Sequence, residues 1–405
     1  MRRPKTRVRM MQAIILHQPG TPRRLVASVA VALLSLVVAG CAHDAGPGAP
    51  AVAVDWREVT RPDGMAIVRD VAVCDGNWYA VGAAGTSPTS VVGPGAWTST
   101  DSLAWRPVLL RPQSPDAMRS TLSGVACRGR DVVAIGVASG GGGRVQISTW
   151  RSQPDGSWAE MLADAHVFNG PDAGGVDAVV SGPAGWLVLG RWRSPTTGLE
   201  GPAVWTSHDG VRFRRVDDDP SLRSQGDVLT RVHHAAPAPW DGWVLVGAVS
   251  TAGESQAAAW TSTDGVSWRR VSMDRESGVM QRVMPHRFHG LLAIGTSNGA
   301  FRAWRAYAVP KDHLRGAPIS AVSVAASGPR SPRVDAVAEA ATAEWPGVVF
   351  AALDDGSELA TVASVDGVRW HRIVGPVQLV ADAGGQIHLA GYGRTGICAA
   401  GEGNR

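Results

Sequence analysis

Short apolar runs alternate with polar turns along most of the chain, and most of the runs end in glycine. One turn phrase, Trp-Thr-Ser-x-Asp-Gly-x-x-Trp at 260–268, has four further copies, which begin at Trp97, Trp150, Trp205 and Val362. A short strand, a tight Asp-Gly turn and a second strand make an antiparallel pair. The return of this unit about every fifty residues predicts an array of small antiparallel sheets, and therefore a β-propeller.

The strand pattern predicts seven blades. An apolar run precedes each turn phrase, and a shorter strand precedes each run; the predicted inner strands are 71–74, 124–127, 176–180, 229–233, 281–284, 334–338 and 377–381. The last unit lacks a fourth strand, whereas 55–59 resembles the outermost strands of other units. We therefore predict an all-β fold: a seven-bladed β-propeller of four-stranded antiparallel blades, closed by an N-terminal strand, 55–59, that completes the last blade. The fifth blade is the least regular, around 316–333.

The first forty residues have the form of an export signal: a basic segment, an apolar run at 25–38 and small residues after it. The run is shorter than the roughly 20 residues that a spanning helix needs. Val-Ala-Gly-Cys at 38–41 resembles the lipobox of bacterial lipoproteins. That resemblance implies that Cys41 is acylated, as by palmitate, and begins the mature chain. The alternatives are an ordinary signal peptide with a chance cysteine and an uncleaved anchor.

This organisation predicts four parts: a lipoprotein signal peptide at 1–40, a flexible tether at 41–54, the propeller at 55–400 and a C-terminal tail at 401–405. Acyl chains on Cys41 imply a protein held on the extracytoplasmic face of the cell membrane. Residues 1–40 contain seven of the 39 basic residues and none of the 35 acidic ones, so the remainder is slightly acidic. A nucleic-acid partner is therefore not expected.

The turn phrases at 207–213, 262–268 and 364–370 resemble Asp-box repeats, also called bacterial neuraminidase repeats. The resemblance implies a propeller in which the repeat is a structural turn. The carboxylate can accept N–H groups of its own hairpin, while glycine supplies a positive φ. We therefore predict that ligands bind on the opposite face, and we assign structural turn roles to Asp101, Asp155, Asp209, Asp264 and Asp366.

No catalytic constellation is visible in the sequence. Sialidases with the same repeat use an arginine triad, a Tyr–Glu pair and an acid/base Asp, with an Arg-Ile-Pro signature; this chain has no Arg-Ile-Pro and only three tyrosines. His233 and His234 are adjacent on a predicted strand, so their side chains should point to opposite faces and could not share a metal. Asp217, Asp218 and Asp219 suit a solvated loop better than a calcium site. We predict no catalytic residue, no metal and no cofactor.

Cysteine and tryptophan leave alternatives open. Cys74 and Cys127 occupy corresponding points of neighbouring blades, so they could form a disulfide; otherwise these two and Cys398 are three buried thiols. Most of the 16 tryptophans recur with the repeat and are expected in the core. Trp192 and Trp240 fit the repeat least well and are candidates for ligand contact.

These features together favour a membrane-anchored, extracytoplasmic propeller that binds a protein or glycan partner at the cell envelope without catalysis. One alternative is an extracellular glycan hydrolase with a sialidase-like fold but no recognisable sialidase site. Another is an assembly factor for a membrane complex. A hydrolase should bring carboxylates, or a carboxylate with a Tyr or His, to the mouth of the central channel. An assembly factor should show a broad charged or apolar face instead of a pocket.

Overall fold

The structure is a computed structural model. It describes residues 7–16, 53–59, 62–87, 89–140, 144–162, 165–239, 241–271, 277–286, 290–306, 316–325, 333–340, 348–354, 359–372, 387–391 and 397–403. No helix among these residues has the length and apolar character needed to cross a membrane.

Six antiparallel blades are built from strands that follow one another in the chain. The first two blades contain β3 (Met65–Cys74), β4 (Asn77–Ser87), β5 (Ser90–Ser99), β6 (Arg106–Pro107), and then β8 (Thr121–Arg128), β9 (Asp131–Ser139), β10 (Val145–Ser152), β11 (Trp158–Met161). A short strand, β7 (Leu110–Arg111), adds to the second blade in parallel with β11. Two short helices, α1 (Pro115–Arg119) and α2 (Ala165–Phe168), lie in connections between blades.

The other four blades repeat the same order. The third and fourth contain β12 (Ala173–Gly182), β13 (Gly185–Arg193), β14 (Glu200–Ser207), β15 (Arg214–Val216), and β16 (Val228–Pro237), β17 (Trp243–Thr251), β18 (Glu254–Ser262), β19 (Arg269–Arg270). The fifth and sixth contain β20 (Val279–His286), β21 (Gly290–Ser297), β22 (Ala300–Ala306), β23 (Gly316–Ala325), and β24 (Arg333–Ala340), β25 (Val348–Asp354), β26 (Leu359–Ser364), β27 (His371–Arg372).

The predicted seven-bladed ring is wrong, because the chain ends do not pair as the sequence suggested. They form a separate four-stranded sheet in the order β2 (Ala53–Val59), β1 (Arg7–Leu16), β29 (Ile397–Gly403), β28 (Ile387–Gly391). Strand β1 is hydrogen-bonded to β29 on one side and to β2 on the other, so 55–59 never reaches the C-terminal strand. The propeller therefore has six blades, and this terminal sheet lies between β24 and β3. The predicted inner strand at 377–381 falls outside the described residues.

Tryptophans at repeating positions fill the spaces between sheets. On the third strands, Trp97, Trp150, Trp205, Trp260 and Trp304 are at most 2% exposed. The buried apolar side chains form clusters that extend across neighbouring blades. In one of them, Val133 and Ile135 of the second blade pack with Val188 and Trp205 of the third. Burial of such large side chains between successive sheets stabilises the packing of each blade against its neighbour.

Candidate functional site

A cavity of about 740 Å³ lies where the innermost strands meet, and all six of these strands, β3, β8, β12, β16, β20 and β24, contribute to its lining. Residues 199–202, at the hairpin between β13 and β14, also line it. In an antiparallel blade this hairpin is at the opposite end from the turn between the third and fourth strands. The cavity therefore belongs to the face opposite the Asp-Gly turns.

The inner strands share one irregularity. Each carries a β-bulge at a corresponding place, with one extra residue between Val68 and Asp70, Leu122 and Gly124, Val176 and Ala178, Val232 and His234, Met280 and Arg282, and Val334 and Ala336. We call the six extra residues the bulge ring: Arg69, Ser123, Asp177, His233, Gln281 and Asp335. The first five line the cavity. A bulge re-aims a side chain that regular alternation would direct elsewhere.

The glycines that end the apolar runs are a consequence of these bulges. Gly82 and Gly247 pair with the residue just before the bulge on the neighbouring inner strand. A Cβ added at either glycine would lie 1.9 Å from a carbonyl oxygen of that strand, of Ile67 or of Arg231 respectively. Gly190 and Gly295 show the same close approach, at 2.1 and 1.9 Å. At these four glycines a side chain would not fit beneath the bulged strand. The sixth blade has the bulge without the glycine, since Leu353 pairs with Val334 there.

Asp70 lies in the inner part of the cavity. Its carboxylate accepts the N–H of Val71 and, across to the next blade, the N–H of Val125, both at 2.9 Å. Asp70 is half-buried and lines the cavity. Burial raises the pKa of Asp70 to about 7, against the opposing effects of these two N–H groups and of the Arg282 guanidinium. Near neutral pH this carboxyl is therefore shared between its protonated and ionised forms.

Both adjacent histidines line the cavity, contrary to the predicted opposite orientation, because the bulge between Val232 and His234 interrupts the strand alternation. Nδ1 of His234 donates to the carbonyl oxygen of Val283 at 3.1 Å. Burial, together with Arg282 and Arg231, lowers the pKa of His233 to about 4. Burial and Arg282 lower the pKa of His234 to about 3. Both imidazoles are therefore neutral hydrogen-bonding groups at pH 7.

Arg191 and two carboxylates form a second set of charged residues in the cavity lining. Arg191 on β13 reaches Asp177 of the bulge ring at 3.6 Å and Glu200 at the start of β14 at 3.4 Å. Burial raises the pKa of Asp177, Arg191 opposes the rise and the neighbouring Glu200 adds to it. One guanidinium therefore holds two carboxylates on the same side of the cavity.

The acidic loop at 217–219 contacts the segment that precedes Glu200. Asp218 accepts the hydroxyl groups of Ser194 and Thr196, at 2.7 and 2.5 Å, in the segment that leads into Glu200. Asp217 pairs with Arg215 at 2.7 Å, and Asp219 accepts the N–H of Trp268 at 3.1 Å. The three carboxylates thus have partners within the protein. Among the described residues no group of His, Cys, Asp and Glu is arranged to hold a metal ion.

The five predicted turn carboxylates are not among the residues that line the cavity. Asp264 accepts the N–H groups of Val266 and Ser267, each at 2.8 Å, and the hydroxyl of Ser262. Asp101, Asp209 and Asp366 make the same pair of backbone contacts in their own turns. Asp155 differs, since it accepts from Ser157 and pairs with Arg111 at 2.7 Å.

The remaining predicted site residues lie away from the cavity or outside the described residues. Trp192 is 6% exposed and packs beneath the Arg215 guanidinium, 3.6 Å from its ring centroid. Trp240 and Cys41 fall outside the described residues. Of the two interpretations of the cysteines, the structure has the bridge: Cys74 and Cys127 form a disulfide between the inner strands of the first two blades, with a Cα–Cα distance of 5.8 Å.

Sequence reasoning missed the charged residues of the cavity, which include five arginines and three carboxylates. A signal for the bulge ring was present. Each extra residue is polar and follows an apolar residue, and most recur at a spacing close to the repeat. When the repeats are aligned on the glycine of the apolar run, Arg69, Ser123 and Asp177 lie 13 residues before it and His233 and Gln281 lie 14 residues before it.

No family model and no curated protein matches this sequence. Several solved structures are similar in fold. An α-L-arabinanase of Penicillium chrysogenum in complex with arabinobiose is 12% identical over 76% of this chain and 97% of its own, with a TM-score of 0.44. A mutant Trypanosoma rangeli sialidase displaying trans-sialidase activity is 11% identical over 77% of this chain and 56% of its own, also at 0.44. A family 117 glycoside hydrolase of Zobellia galactanivorans is 14% identical over 52% and 70%, at 0.34.

Proposed function

We propose that this protein is a lipid-anchored propeller of the cell envelope that binds an acidic sugar in its central cavity and catalyses no reaction on it. The observation that carries the proposal is the lining of the cavity. Among the described residues that line it, five are arginines, Arg69, Arg191, Arg231, Arg282 and Arg333, and three are carboxylates, Asp70, Asp177 and Glu200. With both histidines neutral and Asp70 partly protonated, this described lining carries a net positive charge.

The lining matches the groups of a sugar acid. A guanidinium binds a carboxylate through two parallel hydrogen bonds, which gives both strength and orientation. The carboxylates, together with Gln281 and Ser123, can accept or donate hydrogen bonds to hydroxyl groups. The lining residues that the structure describes include no Phe, Tyr or Trp, so the proposed recognition rests on charge and hydrogen bonding. The volume of about 740 Å³ is in the range of small-ligand sites and admits one or two sugar rings.

The binding proposal is tested by calorimetry on the full chain in a mild detergent. Glucuronate and galacturonate are compared with glucose and galactose at two salt concentrations. We expect the acids to bind at least tenfold more tightly, with the preference weakening at high salt. The double variant Arg69→Gln/Arg231→Gln should lose the preference, whereas Arg130→Gln, on an exposed turn, should keep it. Equal affinity for acids and neutral sugars would overturn the proposal.

A glycan hydrolase is the second candidate, and the pair of carboxylates at Arg191 is the observation that favours it. Asp177, whose pKa is raised by burial, could donate a proton, and Glu200 contacts the same guanidinium. Release of p-nitrophenol from a p-nitrophenyl uronide by the unchanged protein, lost in Asp177→Asn, would establish the hydrolase. If the protein only binds, no release occurs in either protein. The presence of a cavity favours both candidates over the assembly factor.

The anchor is tested separately. Replacement of Cys41 by Ser removes the residue that the lipobox resemblance implies is acylated. We expect Cys41→Ser to shift the protein from the membrane fraction to the soluble or secreted fraction of its host. The control is Ser35→Ala, which leaves the cysteine intact. Membrane retention of Cys41→Ser equal to that of the control would contradict a lipid anchor.

A further inference from the structure

The bulge ring combines a constant position with changing residues. The backbone irregularity recurs in every one of the six inner strands, and the glycine beneath it recurs in five blades. The extra residue itself is different in each of the first five blades: Arg69, Ser123, Asp177, His233, Gln281. By contrast, the residue just before it is always apolar, and it is Val, Leu or Met. The scaffold thus fixes where these side chains are, while their chemistry is free to vary.

The position of the ring gives this variation a consequence for binding. A bulge directs two successive side chains to the same side of the strand, and on an innermost strand that side is the channel. Asp70, His234 and Arg282 each follow a ring residue, and they line the cavity as well. All three have partners within the protein, since Asp70 accepts from Val125, His234 donates to Val283 and Arg282 donates to the carbonyl oxygen of Gln281. The ring residues are therefore presented to a ligand from a braced backbone.

The described residues of the bulge ring are complementary to a ligand that has several hydroxyl groups and one negative charge. Arg69 is a cation and Asp177 is an anion held near Arg191. His233 is neutral at pH 7, and Ser123 and Gln281 are uncharged hydrogen-bonding groups. Gln281 also accepts the N–H of Val334 through Oε1 at 2.6 Å, which fixes its amide plane. One guanidinium and four groups that bond hydroxyls form a complete set for one sugar acid.

We propose that the bulge ring is the specificity-determining set of the cavity, in which Arg69 binds the sugar carboxylate and Ser123, Asp177, His233 and Gln281 bind its hydroxyl groups. The inference rests on the proposed function, because it names the residues that would discriminate among ligands of that site. It also distinguishes Arg69 from the other four cavity arginines, which lie outside the ring.

The test measures a ratio of affinities on the full chain, glucuronate against glucose. Arg69→Gln should lower the ratio at least tenfold while changing glucose affinity less than twofold. Arg231→Gln removes a cavity arginine outside the ring, and it should lower the ratio less than threefold. Asp177→Asn should weaken both sugars about equally, by at least fivefold, because it replaces one acceptor oxygen with an amide donor and removes the negative charge. Asp172→Asn, a paired carboxylate of the same blade that does not line the cavity, is its matched control and should change neither.

The outcomes separate the two proposals. Acid-selective binding that survives Arg69→Gln, or that falls as much in Arg231→Gln, overturns the ring assignment and leaves the proposed function standing. Absence of acid-selective binding in the unchanged protein overturns the proposed function and the assignment with it. Circular dichroism and the melting temperature of each variant show that a loss of affinity is not a loss of fold.

Discussion

At the scale of single residues, burial in the cavity raises the pKa of an acidic group and lowers the pKa of two basic groups. Asp70, His233 and His234 are all held away from bulk water, so each favours its uncharged form. For Asp70 this means a raised pKa, and for the histidines lowered ones. The pH dependence of stability therefore contains two opposing contributions from side chains that line the same cavity.

The contribution of Asp70 can be isolated by Asp70→Asn. Its pKa is about 7 in the folded protein against 3.8 as the ordinary value, so between these pH values the folded state binds more protons than the unfolded state. Stability from this group therefore falls as pH rises, by about 3 kcal/mol between pH 5 and pH 8. The asparagine leaves one N–H without an acceptor, which costs stability equally at both pH values.

Urea unfolding of both proteins at pH 5 and pH 8 checks this expectation. The histidines act in the opposite direction, since their lowered pKa values make the folded state gain stability as pH rises towards 6.5. That contribution is common to both proteins and cancels in the comparison. The free energy of unfolding should therefore fall more, or rise less, in the unchanged protein than in Asp70→Asn. The same change with pH in both would contradict a buried, proton-binding Asp70.

The residue scale also shows where sequence reasoning stops. Alternation along a regular strand predicted that His233 and His234 face opposite ways, and one extra residue in the strand reversed that result. The turn carboxylates were accessible to prediction because their partners lie two and three residues away. The cavity residues were not, because their partners lie on other blades, as with Asp70 and Val125.

At the scale of elements, the innermost strands were placed correctly in six blades but made too short. The sequence interpretation began the first at residue 71, whereas β3 begins at Met65. The omitted part contains the bulge and Arg69. Short apolar runs identify the part of a strand that is buried between blades, while polar residues that face a channel break the pattern and were read as loop. In the first two blades the ring residue, Arg69 or Ser123, therefore lies outside the predicted strand, whereas in the other four blades it lies inside.

The disulfide between β3 and β8 makes a second testable contribution at this scale. It closes a loop with a sequence separation of 53 residues, which on the chain-entropy model stabilises the folded state by up to about 4 kcal/mol. The variant Cys74→Ser/Cys127→Ser should unfold at lower urea than the oxidised protein. A reductant should lower the unchanged protein towards the same midpoint and leave the variant where it is. If opening the bridge, verified by thiol titration, moves nothing, the bridge carries no stability.

At the scale of the whole molecule, the repeat count and the closure of the ring are separate questions. Internal similarity identified the six consecutive blades, because the third-strand tryptophans of blades two to five are buried against the preceding blade. How the chain ends meet depends on which strand reaches which edge, and a resemblance between 55–59 and other outer strands could not decide it. In the structure β1, which lies within the predicted signal segment, pairs with the edge of β29 and separates it from β2.

This arrangement assigns a structural role to a segment that the lipobox resemblance implies is removed. Strand β1 pairs along most of its length with β29 on one side and β2 on the other, so a break in its hydrogen-bonding ladder should loosen both chain ends. Ile14 pairs with Asp55 near the middle of β2. Proline at this position removes the backbone N–H donor and does not fit regular strand geometry. Valine keeps the N–H and fits the strand.

In the full chain, solubilised in a mild detergent, Ile14→Pro should therefore lower the melting temperature by a few degrees and make the segment before Met65 more sensitive to limited proteolysis. The matched variant Ile14→Val should behave like the unchanged protein. If Ile14→Pro melts and resists proteolysis as the valine variant does, β1 does not hold the terminal sheet, and removal of the leader at Cys41 leaves the ring as stable as before. If it melts lower, the cleavage that the lipobox resemblance implies would require a rearrangement of the strands between β24 and β3.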